Sequence, residues 1–330
     1  MLKISSEMKV NRRVVFEAYL FYGLILPMLV FLVGIKDPNL WLDYSVYSWY
    51  YDQAKNNDVI YIIQNIQDPI FTLFNKIFTN FGLEFPTFCV ILAICTLYLK
   101  FIGLRRSTSN FYVLLVLYSS LILCLQDYTQ VRVAFALAVL IFTVYFLKNI
   151  KLKIIFLLTS IFLHASVVIV VVAFLFNIFF KKNIKMMFIY FTSLSLFFYG
   201  SLKILNEWSR FNQYLDNYTY YNIFASIPLV QAFTLIYLLY RYRKESIDFE
   251  YYVTLSGIAA YYFLFLTPAA ATRYMEVCSV FFIIMLSKYF RKDDVIKLVC
   301  LLIFVLNLYN LFIKPNSFLY PYYFEFINLF

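Results

Sequence analysis

Four side chains in this sequence have the chemistry for a reaction centre: Arg132, Arg210, Arg273 and His164. Arg132 heads a hydrophobic run in "QDYTQVRVAFALAVLIF", residues 126–142, and Arg273 opens another in "ATRYMEVCSVFFIIML". Arg210 lies in the polar stretch "NEWSRFNQYLDNYTYYN", and His164, the single histidine, sits in "IFLHASVVIV". A guanidinium stays charged, and its planar fork fits two phosphate oxygens at once. An imidazole exchanges a proton near neutral pH. Two arginines at headgroup level therefore suit a lipid-linked diphosphate as leaving group, with His164 activating or orienting an acceptor hydroxyl. Asp127 and Glu276 are candidate partners for the arginines, and Glu276 follows Arg273 by three residues, on the same helical face. Tyr128, Gln130 and Asp43 join Arg210 as candidate substrate contacts, and Asp43, Asp52 or Asp127 could replace His164 as the base.

What positions these groups follows from composition. The chain has 330 residues, of which 63% are hydrophobic, 22% aromatic and only 14% charged. A soluble domain of that size could not bury so much apolar surface. Apolar runs of roughly 18 residues broken by charged clusters indicate a polytopic all-α membrane protein. The first run, 14–35, is too long for a cleaved signal and lacks a small-residue cleavage pattern.

The net charge of +10 points to topology rather than to nucleic acid. Basic residues cluster at 3–13, 100–106, 148–153, 181–185, 241–244 and 288–297, after every second apolar segment. Such spacing marks cytoplasmic loops. With the N-terminus inside, the expected spans are 14–35, 85–104, 110–126, 133–147, 154–163, 166–180, 186–205, 223–240, 250–267, 274–289 and 296–313. That makes about eleven crossings in one membrane domain covering the whole chain. The stretch 154–180 is long enough for one span, but lysine triplets at both ends require two short helices broken near His164. Outside the membrane would lie loops 36–84 and 206–222 and the tail 314–330. Within the first, Asp68 as N-cap and Pro69 at the first helical position predict an amphipathic helix on the membrane surface.

Other chemistries lack their residues. One histidine and five cysteines scattered through apolar runs form no metal-ligand spacing, and six glycines form no phosphate-cradling loop. No cofactor is expected. Aromatic and amide-rich outer loops fit both an interfacial belt and sugar stacking.

The order of these features resembles the EpsG family of bacterial membrane proteins, which belongs with the Wzy-type O-antigen and capsule polymerases. The resemblance rests on the tyrosine-rich loop and surface helix, "VRVAFALA", "FLHAS", "ATRYMEVCSVFFIIML" and the aromatic tail. It implies a GT-C-like glycosyltransferase architecture in the bacterial inner membrane. It implies metal-independent polymerisation of undecaprenyl-diphosphate-linked oligosaccharide repeat units on the periplasmic face, with a flippase and a chain-length regulator as partners. Carried over by position, Arg132, His164 and Arg273 become the active-site residues. The family often has Gln after the first Arg, whereas here Val133 follows, with Gln130 as a substitute amide. Runner-up readings are a flippase for lipid-linked sugars, an O-antigen ligase and a membrane acyltransferase.

Overall fold

A computed structural model describes residues 16–17, 19–35, 43–66, 69–180, 183–205, 222–243, 245 and 247–313. Arg210, Asp68, the N-terminal basic cluster, most of the 206–222 loop and the 314–330 tail lie outside the described residues.

The described chain is helical, with no strand among those residues. A π-helical turn, Phe21–Ile25, leads into α1, Leu26–Gly34. Three helices then lie in the stretch expected to be an outer loop, the last of them expected as a helix: α2 Tyr44–Asn56, α3 Val59–Asn65 and α4 Pro69–Asn80. The bundle continues with α5 Phe85–Ser107 and α6 Phe111–Leu117, which runs on as a π-helix, Tyr118–Thr129. Next come α7 Val131–Tyr145, α8 Ile150–Leu163, a 3-10 turn Ala165–Val167 and α9 Val168–Phe179. The remainder is α10 Ile184–Leu205, α11 Ser226–Arg241, α12 Phe249–Phe263, α13 Pro268–Tyr289 and α14 Asp294–Leu308.

Each apolar segment anticipated as a span contains a helix among the described residues, but length and apolarity qualify fewer of them. Four helices among the described residues could cross a membrane: Phe85–Ser107, Ile184–Ser201, Pro268–Tyr289 and Asp294–Ile313. A fifth is possible if Phe111–Ser120 and Ile122–Thr129, bent by 66°, act as one span. The shortfall is geometric. At about 1.5 Å per residue, helices of 14 or 15 residues such as α8, α7 and α12 fall short of a bilayer core of about 30 Å.

Local sequence explains the ends. Pro86 and Pro268 stand in the first turns of α5 and α13, where a missing N–H costs nothing. Asp293 caps α14 by accepting from the Val295 and Ile296 amides, and Arg105 and Arg106 close α5 at its negative end. Gly82, at φ 71°, makes the turn from α4 to α5 that L side chains resist, and the Tyr51 hydroxyl donates to Leu83 O at 2.6 Å beside it.

The core runs along α5, α7, α12 and α13. α7 is apolar on nearly every side and buried from Val133 to Ile141, as a central helix must be. α5 approaches it closely because Gly103 has no side chain: a Cβ there would lie 2.8 Å from the Ile141 carbonyl oxygen. Gly103→Ala is therefore expected to destabilise the protein by about 1–3 kcal/mol, read as a lower melting temperature in detergent.

Two expectations change here. α4 sets part of its apolar face on protein: Phe71 is buried, Phe74 and Phe78 meet the Phe88 ring at a tilt and edge-on, and Phe74 stacks on Phe135. The protein offers those rings a closer-packed partner than the interface does. Lys100 is not in a loop. It lies five residues before Arg105, a turn and more inside α5, and is fully buried against Asp127.

Candidate functional site

The site forms where α7, the π segment before it, α13 and the α8–α9 break converge. The backbone leaves α8 at Leu163 and passes through His164 in extended conformation, φ −162° and ψ 124°. The His164 side chain then caps the following turn: its Nδ1 accepts from the Ser166 backbone N–H at 3.2 Å and lies 2.7 Å from Ser166 Oγ. That capping holds the half-buried imidazole in one place. The charges of both Arg132 and Arg273 bear on this ring.

Arg132 is the second residue of α7, half-buried, and is gripped from α2. Its Nη1 donates to the Tyr50 hydroxyl at 2.8 Å, and its guanidinium lies 4.5 Å from the Tyr50 ring centre and 5.4 Å from that of Tyr47. A desolvated cation over an aromatic face gains about 2 kcal/mol. Both tyrosines are buried. Burial holds the Tyr47 phenol above its ordinary value of 10.0 although Arg132 pulls it down, so Tyr47 stays a neutral donor at physiological pH.

Arg273 is exposed, in the second turn of α13, and makes no hydrogen bond among the described residues. One turn on, Glu276 receives the Gln130 amide, Nε2 to Oε2 at 3.1 Å, and the Gln126 amide donates to the Glu276 carbonyl at 2.9 Å. Gln130 occupies the N-cap position of α7, two residues before Arg132. The two glutamines thus tie the head of the Arg132 helix to the helix of Arg273.

The other residues singled out by sequence sit differently. Asp127 is buried and bonded to other groups: one carboxylate oxygen pairs with Lys100, the other with the Tyr118 hydroxyl. Lys100 also donates to Tyr118 at 2.8 Å. Tyr128 is half-buried in the π segment. Asp43 precedes α2, and its charge reaches Tyr47. Asp52 is exposed. Among the described residues, no three of His, Cys, Asp and Glu group closely enough to hold a metal ion.

Tyr47, Tyr50 and Gln126 are the residues sequence reasoning passed over. The tyrosines are three apart, the spacing that puts two side chains on one helical face. That signal was present in "DYSVYSWYYDQ", once the stretch is taken as helix rather than loop.

The sequence model of the EpsG family matches residues 19–324. The chain belongs to the EpsG family. EpsG proteins are Wzy-like polysaccharide polymerases, so this EpsG chain is a membrane protein with a polymerase role. No curated protein and no solved structure matches it. The match spans the π segment, His164 and both arginines. In an EpsG polymerase the Arg132 clamp has a measurable consequence. Tyr50→Phe keeps the ring and removes the hydroxyl, and losing a bond to a charged group of about 1.5 kcal/mol is expected to slow polymer synthesis roughly tenfold. Pulse-labelled glycan per cell checks this.

Proposed function

We propose that this protein polymerises undecaprenyl-diphosphate-linked oligosaccharide repeat units at the periplasmic or outer face of the bacterial inner membrane. In this reading the chain makes eleven crossings with a cytoplasmic N-terminus, in a GT-C-like arrangement. The growing glycan passes from its lipid diphosphate to a hydroxyl of an incoming unit. The acceptor oxygen bonds to the anomeric carbon as the carbon–oxygen bond to the diphosphate breaks, and the diphosphate leaves with that electron pair. Arg132 and Arg273 hold the charge that grows on it, and His164 contacts the reacting groups between them. No metal takes part in this scheme.

The observation that carries the proposal is that the charges of Arg132 and Arg273, on separate helices, both bear on His164 in an EpsG chain. A dianionic ligand offsets both positive charges. The orientation of the incoming unit then falls to Tyr128, Gln130 and Asp43, with Arg210 from the stretch outside the described residues.

Deletion in a producing bacterium tests it. Cells without the protein are expected to display single repeat units at the surface and no long chains, with the repeat-unit flippase and chain-length regulator intact. Build-up of lipid-linked units on the cytoplasmic face would instead identify a transporter and overturn the proposal.

A further inference from the structure

The histidine's hydrogen bonds bear on which group takes the acceptor proton. A backbone N–H can only donate, so the Ser166 amide assigns His164 Nδ1 as an acceptor without a proton. A neutral imidazole then carries its proton on Nε2. Two arginine charges bearing on the same ring oppose a second proton. His164 therefore reaches the reaction as a neutral N–H donor, with no lone pair free to receive a proton.

The carboxylates nearby are not equivalent. Both oxygens of Asp127 are occupied, by Lys100 and Tyr118, and the residue is 1% exposed. Asp52 is exposed on α2, off the face formed by Tyr47, Tyr50 and Tyr51. Glu276 is half-buried beside the site, with Oε2 held by Gln130 and Oε1 accepting no hydrogen bond among the described residues. Of the groups turned to it, Arg273 on its own helix is charged, and Gln126 from the π segment and Gln130 from the α7 N-cap are neutral.

We infer that Glu276 is the general base and His164 a hydrogen-bond donor, an assignment that rests on the polymerase reading. As the acceptor oxygen attacks the anomeric carbon, its proton passes to Glu276 Oε1. The bond to the diphosphate breaks, and the departing oxygens are met by Arg132, Arg273 and the His164 Nε2–H. Gln130 positions the carboxylate.

The test is the single-turnover release of lipid diphosphate from lipid-diphosphate-linked repeat units by the purified full chain in liposomes, measured across pH. Glu276→Gln, which preserves shape and the Gln130 contact, is expected to slow release about 100-fold or more and to remove the acid limb of the pH profile. Glu276→Asp should keep the acid limb at a reduced rate, which separates a lost base from a misfolded bundle. His164→Gln places an amide donor near the Nε2 position and should outperform His164→Asn, which mimics only Nδ1, with the acid limb intact in both. Release by Glu276→Gln within threefold of wild type, or loss of the acid limb in His164→Gln alone, overturns the assignment and leaves the polymerase reading standing. Wild-type protein that releases no lipid diphosphate overturns both.

Discussion

Arg132→Ala and Arg273→Ala are each expected to abolish long-chain polysaccharide while single repeat units still reach the surface. The size of the effect follows from what the side chain does. Removing one group aimed at charge developing in a transition state costs about 10²–10³-fold in rate. Polymerisation compounds that loss, because each added unit repeats the slowed step. Lysine is not an adequate replacement. Its ammonium is a point charge without a fork, so Arg132→Lys should lose the Tyr50 contact geometry and recover little. The two positions should also differ. Arg132 is held by Tyr47 and Tyr50, whereas Arg273 is exposed and unclamped among the described residues. Arg132→Ala thus empties an aromatic clamp and is expected to lower stability as well as activity, and Arg273→Ala to lower activity with an unchanged melting temperature. Glycan ladders on gels and melting curves of the purified variants check both halves. Normal ladders in either variant contradict the proposed roles.

The second large effect belongs to the buried ion pair. Lys100 and Asp127 are both fully withdrawn from solvent, with the Tyr118 hydroxyl bonded to each. Deleting one member leaves the other charged in the core, at a cost of about 3–5 kcal/mol. Lys100→Met or Asp127→Leu alone is therefore expected to abolish accumulation of folded protein, or to lower its melting temperature sharply. The double variant removes both charges together and should regain most of the lost stability, because well-packed apolar residues often replace a buried pair without penalty. Activity should return less completely than stability. Asp127 anchors the π segment that carries Gln126 and leads into Gln130, both bonded to Glu276, and a looser segment holds the site less firmly. A double variant no more stable than its parents would show that the pair is not coupled.

How far the sequence reaches is clear from particular residues. Helix positions were legible because apolar runs bounded by lysines and arginines leave little freedom in placing them. The break at His164 was legible from charge parity alone: three lysines at each end of 154–180 cannot share one side of a membrane across a single helix. The structure has α8 ending at Leu163 and a new turn starting at Ala165. The Arg273–Glu276 spacing was equally local, and Arg273's charge does bear on Glu276.

What failed to show was everything that depends on distant pairing. Lys100 sits in a basic cluster by sequence, and only the fold reveals that Asp127, 27 positions away, neutralises it. A count of charges along a chain averages over depth, so a buried lysine five residues from a loop looks topogenic. The 36–84 stretch read as loop because its polar residues lack an apolar run. Yet α2 has a buried face of Tyr47, Tyr50, Tyr51 and Ala54, and that face exists to meet Arg132 and α4. Neither the number of crossings nor the direction of the site follows from helix positions, since short helices inside a bundle are tolerated by their neighbours.

The most direct measurement uses purified protein alone in liposomes with lipid-diphosphate-linked repeat units, followed by gel analysis of the glycan. The account predicts a ladder of lipid-linked chains, one lipid diphosphate released per unit added, and neither product with Arg132→Ala or Arg273→Ala. Repeat units that remain single in the presence of wild-type protein would contradict it.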